Sequence, residues 1–446
     1  EAPPMTMRRV LATLIAFVLS ASPIQAQFAP GARSAGMAGA GLLFATGLDA
    51  VEWNPANLAW SDGWELSLYE FGTAGLLTGP SIDDLIEIAT AGGSGDAGVI
   101  NRMPAGGFSL FAATDGFVAV NAASIADLPQ PGSPLPSVGL ALGPFALRVR
   151  SRLVLEARMS REIADLMING FNPERIQEYA VRSTGFRSTS LSEITLGYGK
   201  TVGEQLAFGV GLRLIQGHSL TQGQFFEPAV DLADETLAVT GAAVESPSGS
   251  GYAMDFGLSL DLGKGFRASL AAANLFQRMT WDDALVSHEA VFTDEDFESA
   301  DIIDLVDRFS ASDIDPQSLS LAVYEASRGL FDESYFPMTV RAGLGWTKGG
   351  TSLEVVGVAV SPRGRQHNSW DDRASVGLEQ KLGFLTLRGG YTLADRGLTS
   401  VAAGVGFGLG PVALDVGAGR FSGELNGIDY DGAQVTLALA IRGGGR

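Results

Sequence analysis

The sequence predicts an all-β membrane fold: an antiparallel transmembrane β-barrel of about 14 strands, with 16 as the alternative, whose lumen holds the chain's own N-terminal segment. Three observations carry that expectation. The chain opens on an export signal. After it, no apolar run reaches the roughly 18 residues that a spanning helix needs. The remainder alternates large apolar and small residues with period two, the period of a strand.

Residues 1–26 read as a cleavable signal peptide. Initiation at Met5 or Met7 places Arg8 and Arg9 in a basic n-region, followed by an apolar run over 10–19 and the small-residue site Ile24-Gln25-Ala26. Residues 27–62 read as a plug. They are rich in Gly and Ala, carry one Asn54-Pro55-Ala56 turn and the aromatics Trp53 and Trp60, and are too small to be a core of their own. Residues 63–446 read as the barrel.

Strands are expected at roughly 64–72, 106–114, 116–124, 145–158, 187–201, 204–217, 251–263, 266–278, 337–347, 350–361, 370–382, 384–395, 399–409, 412–423 and 431–441, with 137–143 as one more candidate. In the stretch 206–214, Leu206, Phe208, Val210, Leu212 and Leu214 share a face against Ala207, Gly209, Gly211 and Arg213. The stretch 401–409 sets Val401, Ala403, Val405, Phe407 and Leu409 against Ala402, Gly404, Gly406 and Gly408. A soluble sandwich would make its second face charged. A second face of Gly, Ala, Ser and Thr fits a barrel whose large face meets lipid and whose lumen is crowded.

Connections alternate in length, as barrel turns and loops do. Short Gly turns are expected at Asp115-Gly116, 202–204, 263–265, 348–350 and 410–411, and long external inserts at 73–105, 159–186, 218–250 and 279–336. Helical spacing within the inserts appears at 81–86, 161–168 and 302–309.

The chain has no cysteine, which excludes disulfides and thiolate metal sites. A net charge of −20 excludes nucleic acid as a partner. His218, His288 and His367 fall in expected loops without metal-ligand spacing, and no nucleophile motif occurs, so neither an enzyme nor a cofactor is expected. The acidic run 282–307 reads as a solvated loop face, with an oxygen-ligand cation site as the alternative.

Charges on strands are the informative ones. Arg148, Arg150, Arg152, Glu156 and Arg158 share one face of a strand. Each would cost about 2–4 kcal/mol against mid-bilayer lipid, so the row is expected to face the lumen. Arg213 joins it, and Glu193, Asp261, Glu354, Glu379 and Asp415 are candidate lumenal partners. Two readings stand: an arginine–carboxylate lattice pinning wall to plug, or an anionic head-group site.

The stretch 31–59 carries a resemblance. Its Gly31, Ala32, Arg33, Ala35, Gly36, Met37, Gly39, Ala40 and Gly41, then Asp49, Trp53, Asn54, Pro55 and Ala56, resemble the N-terminal hatch of the outer-membrane long-chain fatty-acid transporter family (FadL-like) and its PorV-like relatives. The resemblance implies a 14-stranded barrel in the bacterial outer membrane, surrounded by its lipid, with a hatch plugging the lumen. It implies passive transport of a hydrophobic or amphipathic small molecule, or, as in the PorV-like branch, docking of secreted proteins. No residue matches the ligand-binding positions of characterised fatty-acid transporters, so fatty acids come from the family alone. Little side-chain volume lets such a segment pass close to a wall, and Asn54 before Pro55 favours a turn.

Overall fold

The computed structural model describes residues 31–79, 108–115, 137–162, 165, 185–225, 229–231, 236–282, 286–293, 313–314, 338–361, 372–425 and 428–444. The expected signal at 1–26, the strand at 116–124, the helical stretches 81–86 and 302–309, most of the acidic run and His367 lie outside these residues.

The described strands occupy fourteen positions in one antiparallel sheet that closes on itself. They are β1 (Trp64–Gly79), β2 in two segments (Phe108–Asp115 and Val138–Leu142), β3 (Phe145–Met159), β4 (Gly185–Val202) and β5 (Leu206–Phe225). Then come β6 (Thr236–Ser246 and Gly249–Gly263), β7 (Phe266–Ala273, Arg278–Trp281 and Val286–Thr293), β8 (Thr339–Lys348) and β9 (Thr351–Val360). The last are β10 (Arg373–Leu382), β11 (Leu385–Ala394), β12 (Thr399–Leu409), β13 (Val412–Leu425) and β14 (Ile428–Gly443). β14 pairs with β1 from Trp64 opposite Gly443 to Gly79 opposite Asp429, which seals the cylinder.

Alternation along each strand sorts the two faces. Leu344, Val401 and Leu409 are 63%, 61% and 66% exposed on the outside, while Glu354 and Ser375 are fully buried on the inside. Only a lipid environment makes that outer face favourable: each buried apolar Å² is worth about 25 cal/mol away from water. The short turns, including those at Gly203 and Gly410 with φ of 67° and 62°, lie at one end. Barrels of this kind keep their short turns at the periplasmic end.

Three expectations are corrected. The inserts 218–250 and 279–336 are not loops throughout, because the ladder continues past the expected ends. Thr236–Ser246 pairs with the far end of β5 over residues 241–246 and with Val286–Thr293 over residues 238–245. Likewise β1 runs to Gly79 rather than stopping near residue 72. The expected strand at 106–114 and the candidate at 137–143 share one strand position beside β1, not two. The neighbours of Phe108–Asp115 are β1 and β3, and the candidate at 137–143 supplies the rest of β2.

Candidate functional site

Residues 31–60 lie inside the barrel. They form α1 (Ala32–Ala35), α2 (Gly47–Trp53) and a 3-10 turn (Pro55–Trp60). Asn54 caps that turn: its Oδ1 accepts from the Ala56 N–H at 3.0 Å, while its Nδ2 donates to Leu258 O on β6 at 3.1 Å. Pro55 follows at the first position, where its missing N–H costs nothing.

The small inner face of the wall exists to admit this segment. A methyl group at Gly404 or Gly36 would press on the other's Cα at 2.9 and 2.8 Å. A methyl group would likewise stand 2.5 Å from Ala32 O at Gly417, 2.6 Å from Ala40 at Gly377, 2.5 Å from Ala59 N at Gly199 and 2.8 Å from Leu48 at Gly139. Those glycines sit on β12, β13, β10, β4 and β2, so the segment touches the wall around most of its circumference. A methyl group at Gly41 would stand 3.1 Å from the Trp53 ring, and Gly39 supplies a φ of 83° that favours glycine.

Wall side chains also satisfy the segment's backbone, as burial requires. Glu354 Oε2 accepts from Leu43 N at 2.9 Å, Arg267 donates to Leu43 O at 3.0 Å, and Gln434 donates to Ala35 O at 3.3 Å. Thr392 donates to Ala38 O. Arg341 donates to Glu52 O at 2.7 Å and Trp53 O at 3.2 Å, and its guanidinium lies 4.9 Å from the Trp53 ring centroid. It thereby neutralises the negative end of α2.

Ion pairs run through the same level. Arg33 reaches Glu354 at 3.1 Å and Glu379 at 3.0 Å, Arg388 bridges Glu379 at 2.8 Å and Asp415 at 2.6 Å, and Arg442 joins Asp415 to Glu65. On the other side Arg148 holds Glu70 and lies 3.7 Å from Glu52, and Arg150 holds Glu52 at 3.0 Å and Asp115 at 2.9 Å. Arg152 holds Asp115 at 3.0 Å and lies 3.8 Å from Glu193, and Arg213 grips Asp255 at 2.7 Å. Arg148, Arg150 and Arg152 thus each face at least one carboxylate.

Three expected members stand apart from that lattice. Glu156 faces Arg187 across the β3–β4 ladder, and Arg158 is exposed, about 13 and 20 Å along the strand from Arg152. Asp261 is a turn residue instead: its carboxylate accepts from Gly263 N at 2.8 Å, as Asp does at strand ends. His218 lies on β5 rather than in a loop, with Nε2 2.7 Å from Ser192 Oγ. Sequence reading missed Glu52, Glu70, Asp115, Asp255 and Arg341. Asp255 was accessible, since it shares the small face of β6 with Asp261, while nothing in the sequence around Glu52 marked it.

Burial shapes the titration of the inner segment. Burial, then Glu70 and Glu65, push the Asp49 carboxyl up to about 7, against the pull of Arg148 and Arg442. Burial also raises Glu52, but Arg150 and then Arg148 outweigh it and hold that carboxyl well below the usual range. Burial disfavours the Arg33 charge, yet Glu379 and Glu354 more than offset it. The described residues contain no group of three His, Cys, Asp or Glu placed to hold a metal ion.

Above the lattice the inner wall turns apolar. Leu191, Ile215, Leu220, Ala253 and Trp281 form a buried cluster with Met279 against it. β2 is described in two segments. The first β2 segment pairs with β1 over residues 72–78 and the second over 64–67. On β3 the corresponding spans are 152–159 and 145–149. Among the described residues, 68–71 of β1 and 150–151 of β3 thus have no β2 neighbour, at the height of Glu70, Arg150 and Asp115.

A family model described as a family of unknown function (DUF5723) matches residues 134–227, the stretch holding the arginine row. No curated protein sequence matches the chain. Among solved structures, the Ralstonia pickettii toluene transporter TbuX is 13% identical, with 92% of this chain and 98% of that one covered and a TM-score of 0.50. The Pseudomonas putida toluene transporter TodX gives 12%, 95% and 99%, and 0.47. A Pseudomonas aeruginosa FadL homologue gives 12%, 94% and 98%, and 0.45. At such identities the TbuX likeness is one of fold: this chain folds as FadL-type outer-membrane barrels do.

Proposed function

We propose that the chain is an outer-membrane channel through which a hydrophobic or amphipathic small molecule diffuses without ATP or cofactor. The observation that carries this reading is the apolar inner cluster that stands above a barrel end occupied by residues 31–60. A solute entering from outside meets Leu191, Ile215, Trp281 and Met279 first, then the paired charges of the lattice. That sequence suits a molecule with an apolar body and a small polar group. Residues 31–60 act as a hatch that blocks the straight path, so the solute passes through a gap near the hatch. The TbuX likeness makes an aromatic hydrocarbon one fitting probe, and a long-chain fatty acid is the other.

The test is uptake of labelled toluene and labelled fatty acid by cells with and without the protein, joined to native mass spectrometry of gently extracted protein. Faster uptake of either probe, or a co-purified apolar molecule, supports the channel. Unchanged uptake of both, with a stoichiometric secreted protein bound instead, would replace it with a PorV-like docking role.

A further inference from the structure

The chain contains four lysines, Lys200, Lys264, Lys348 and Lys381, against a net charge of −20. All four fall at the short-turn end. Lys200 lies near the end of β4, Lys264 in the β6–β7 turn, Lys348 at the end of β8 and Lys381 near the end of β10. These are four successive turns. The β2–β3 turn at Gly143-Pro144 and the β12–β13 turn at Gly410-Pro411 carry none. Every one of the four is exposed and none forms an ion pair with a described residue; Lys381 shares the lumenal parity of β10 with Glu379 at the rim, and Glu204 and Asp261 stand near Lys200 and Lys264. The ion pairs of the lumen use arginine throughout.

The division has a physical cause. Arginine's planar fork loses less on burial, whereas the lysine ammonium is compact and strongly hydrated and stays where water or phosphate reaches it. Outward aromatics mark the same level: Phe145, Tyr198, Phe208, Phe266 and Trp346 sit near the short-turn ends of their strands. Aromatic girdles lie at membrane–water interfaces. Lys200 and Lys348 each stand two residues beyond one of these rings, Tyr198 and Trp346, on the same strand face. Their stems can run along the bilayer edge while the ammonium reaches the head groups.

We propose that this arc of the rim, from β4 to β11, binds the phosphate groups of anionic phospholipids in the inner leaflet. Each lysine near an anionic surface strengthens association by about fivefold. The arc is one-sided, so anionic lipid gathers against β4–β11 and not against β12–β14. The inference needs the barrel to span the membrane but does not depend on what the barrel carries.

The test uses the full chain in vesicles of equal phosphatidylglycerol and phosphatidylcholine with matched acyl chains. Lipid retained after gentle extraction is counted by native mass spectrometry. The wild type is expected to retain phosphatidylglycerol at least about fivefold over phosphatidylcholine. A variant with Lys200→Gln, Lys264→Gln, Lys348→Gln and Lys381→Gln is expected near parity, and the four-fold Lys→Arg variant is expected to behave as wild type. Equal retention by the wild type, or undiminished preference in the Gln variant, would overturn the proposal. Displacement of the lipid by inorganic phosphate, but not by chloride at the same ionic strength, would assign the arc to free phosphate and also overturn it. Heat-modifiable migration is measured for each variant. If the Gln variant fails to fold, the wild type's own preference and its loss at high salt decide the question. Uptake of the hydrophobic probes is read on the same preparations, so a failed channel and a failed lipid site give different results.

Discussion

Changing Gly199 to Ala should lift the inner segment out of its seat while leaving the barrel wall whole. The added methyl would stand 2.5 Å from Ala59 N, 2.8 Å from Pro55 O and 2.9 Å from the Leu58 Cβ. Ordinary contact begins near 3.4 Å, so the backbone must retreat by about 0.9 Å. It has no room to do so sideways, because the same turn also abuts Gly209 on β5 and Gly257 on β6. Overpacking of this kind costs about 1–3 kcal/mol. At about 2 kcal/mol the ratio of seated to unseated segment falls roughly thirtyfold. Hydrogen exchange over residues 31–60 should accelerate accordingly, and conductance in planar bilayers should rise. Gly357→Ala is the control, since its nearest neighbour, Ala342 O, would be 3.9 Å away, on the outer face. Wild-type protection of 31–60 in Gly199→Ala, or equal loosening in Gly357→Ala, would refute the argument that inward glycines are there for the plug.

Three further outcomes are expected. Glu52→Gln leaves Arg148 and Arg150 short of one carboxylate each, and breaking a buried pair costs about 3 kcal/mol, so exchange in α2 should rise more than in the 3-10 turn. Asp49 has a folded pKa of about 7, raised from about 3.9 in an unfolded chain. Its folded state therefore binds more protons, seating is strongest below about pH 4 and weakens as pH rises through 7. An Asp49→Asn variant should flatten that fall between pH 4 and 7 when protection of residues 31–60 is followed against pH. Leu258→Arg puts a charge on the outer face of β6 and should cost up to about 4 kcal/mol in a lipid bilayer, seen as a lower urea midpoint of refolding into vesicles.

The barrel was legible because two constraints act on each strand separately. Lipid demands large apolar residues outside, and a filled lumen demands small ones inside, so 206–214 or 401–409 announces both faces without reference to any neighbour. The ends of strands were not legible. Thr236–Ser246 is a strand because β5 and Val286–Thr293 lie beside it, which is a property of the sheet and not of the segment. The arginine row declared its side by its cost in lipid, yet its partners did not. Glu52 meets Arg150 across 98 residues of chain, and nothing local distinguishes it from a solvated helix charge. Asp261 erred the other way, because parity placed it inside and only the turn at Gly263 shows that its strand has ended.

The interior segment has a consequence for the order of events during assembly. It precedes every described strand in the sequence, yet its contacts span most of the chain: Arg33 meets Glu379 across 346 residues and Gln434 meets Ala35 across 399. Such distant pairings are slow to form, because loop closure must precede any gain from them. Until β13 and β14 arrive, the glycines of the wall face an empty groove and the segment has half a seat. The cylinder and its contents must then mature together in the final step, when β14 finds β1. A late-strand defect, such as weakening the β14 ladder, should therefore be felt first at the opposite end of the sequence, as a poorly seated residue 31–60 stretch in an otherwise complete sheet.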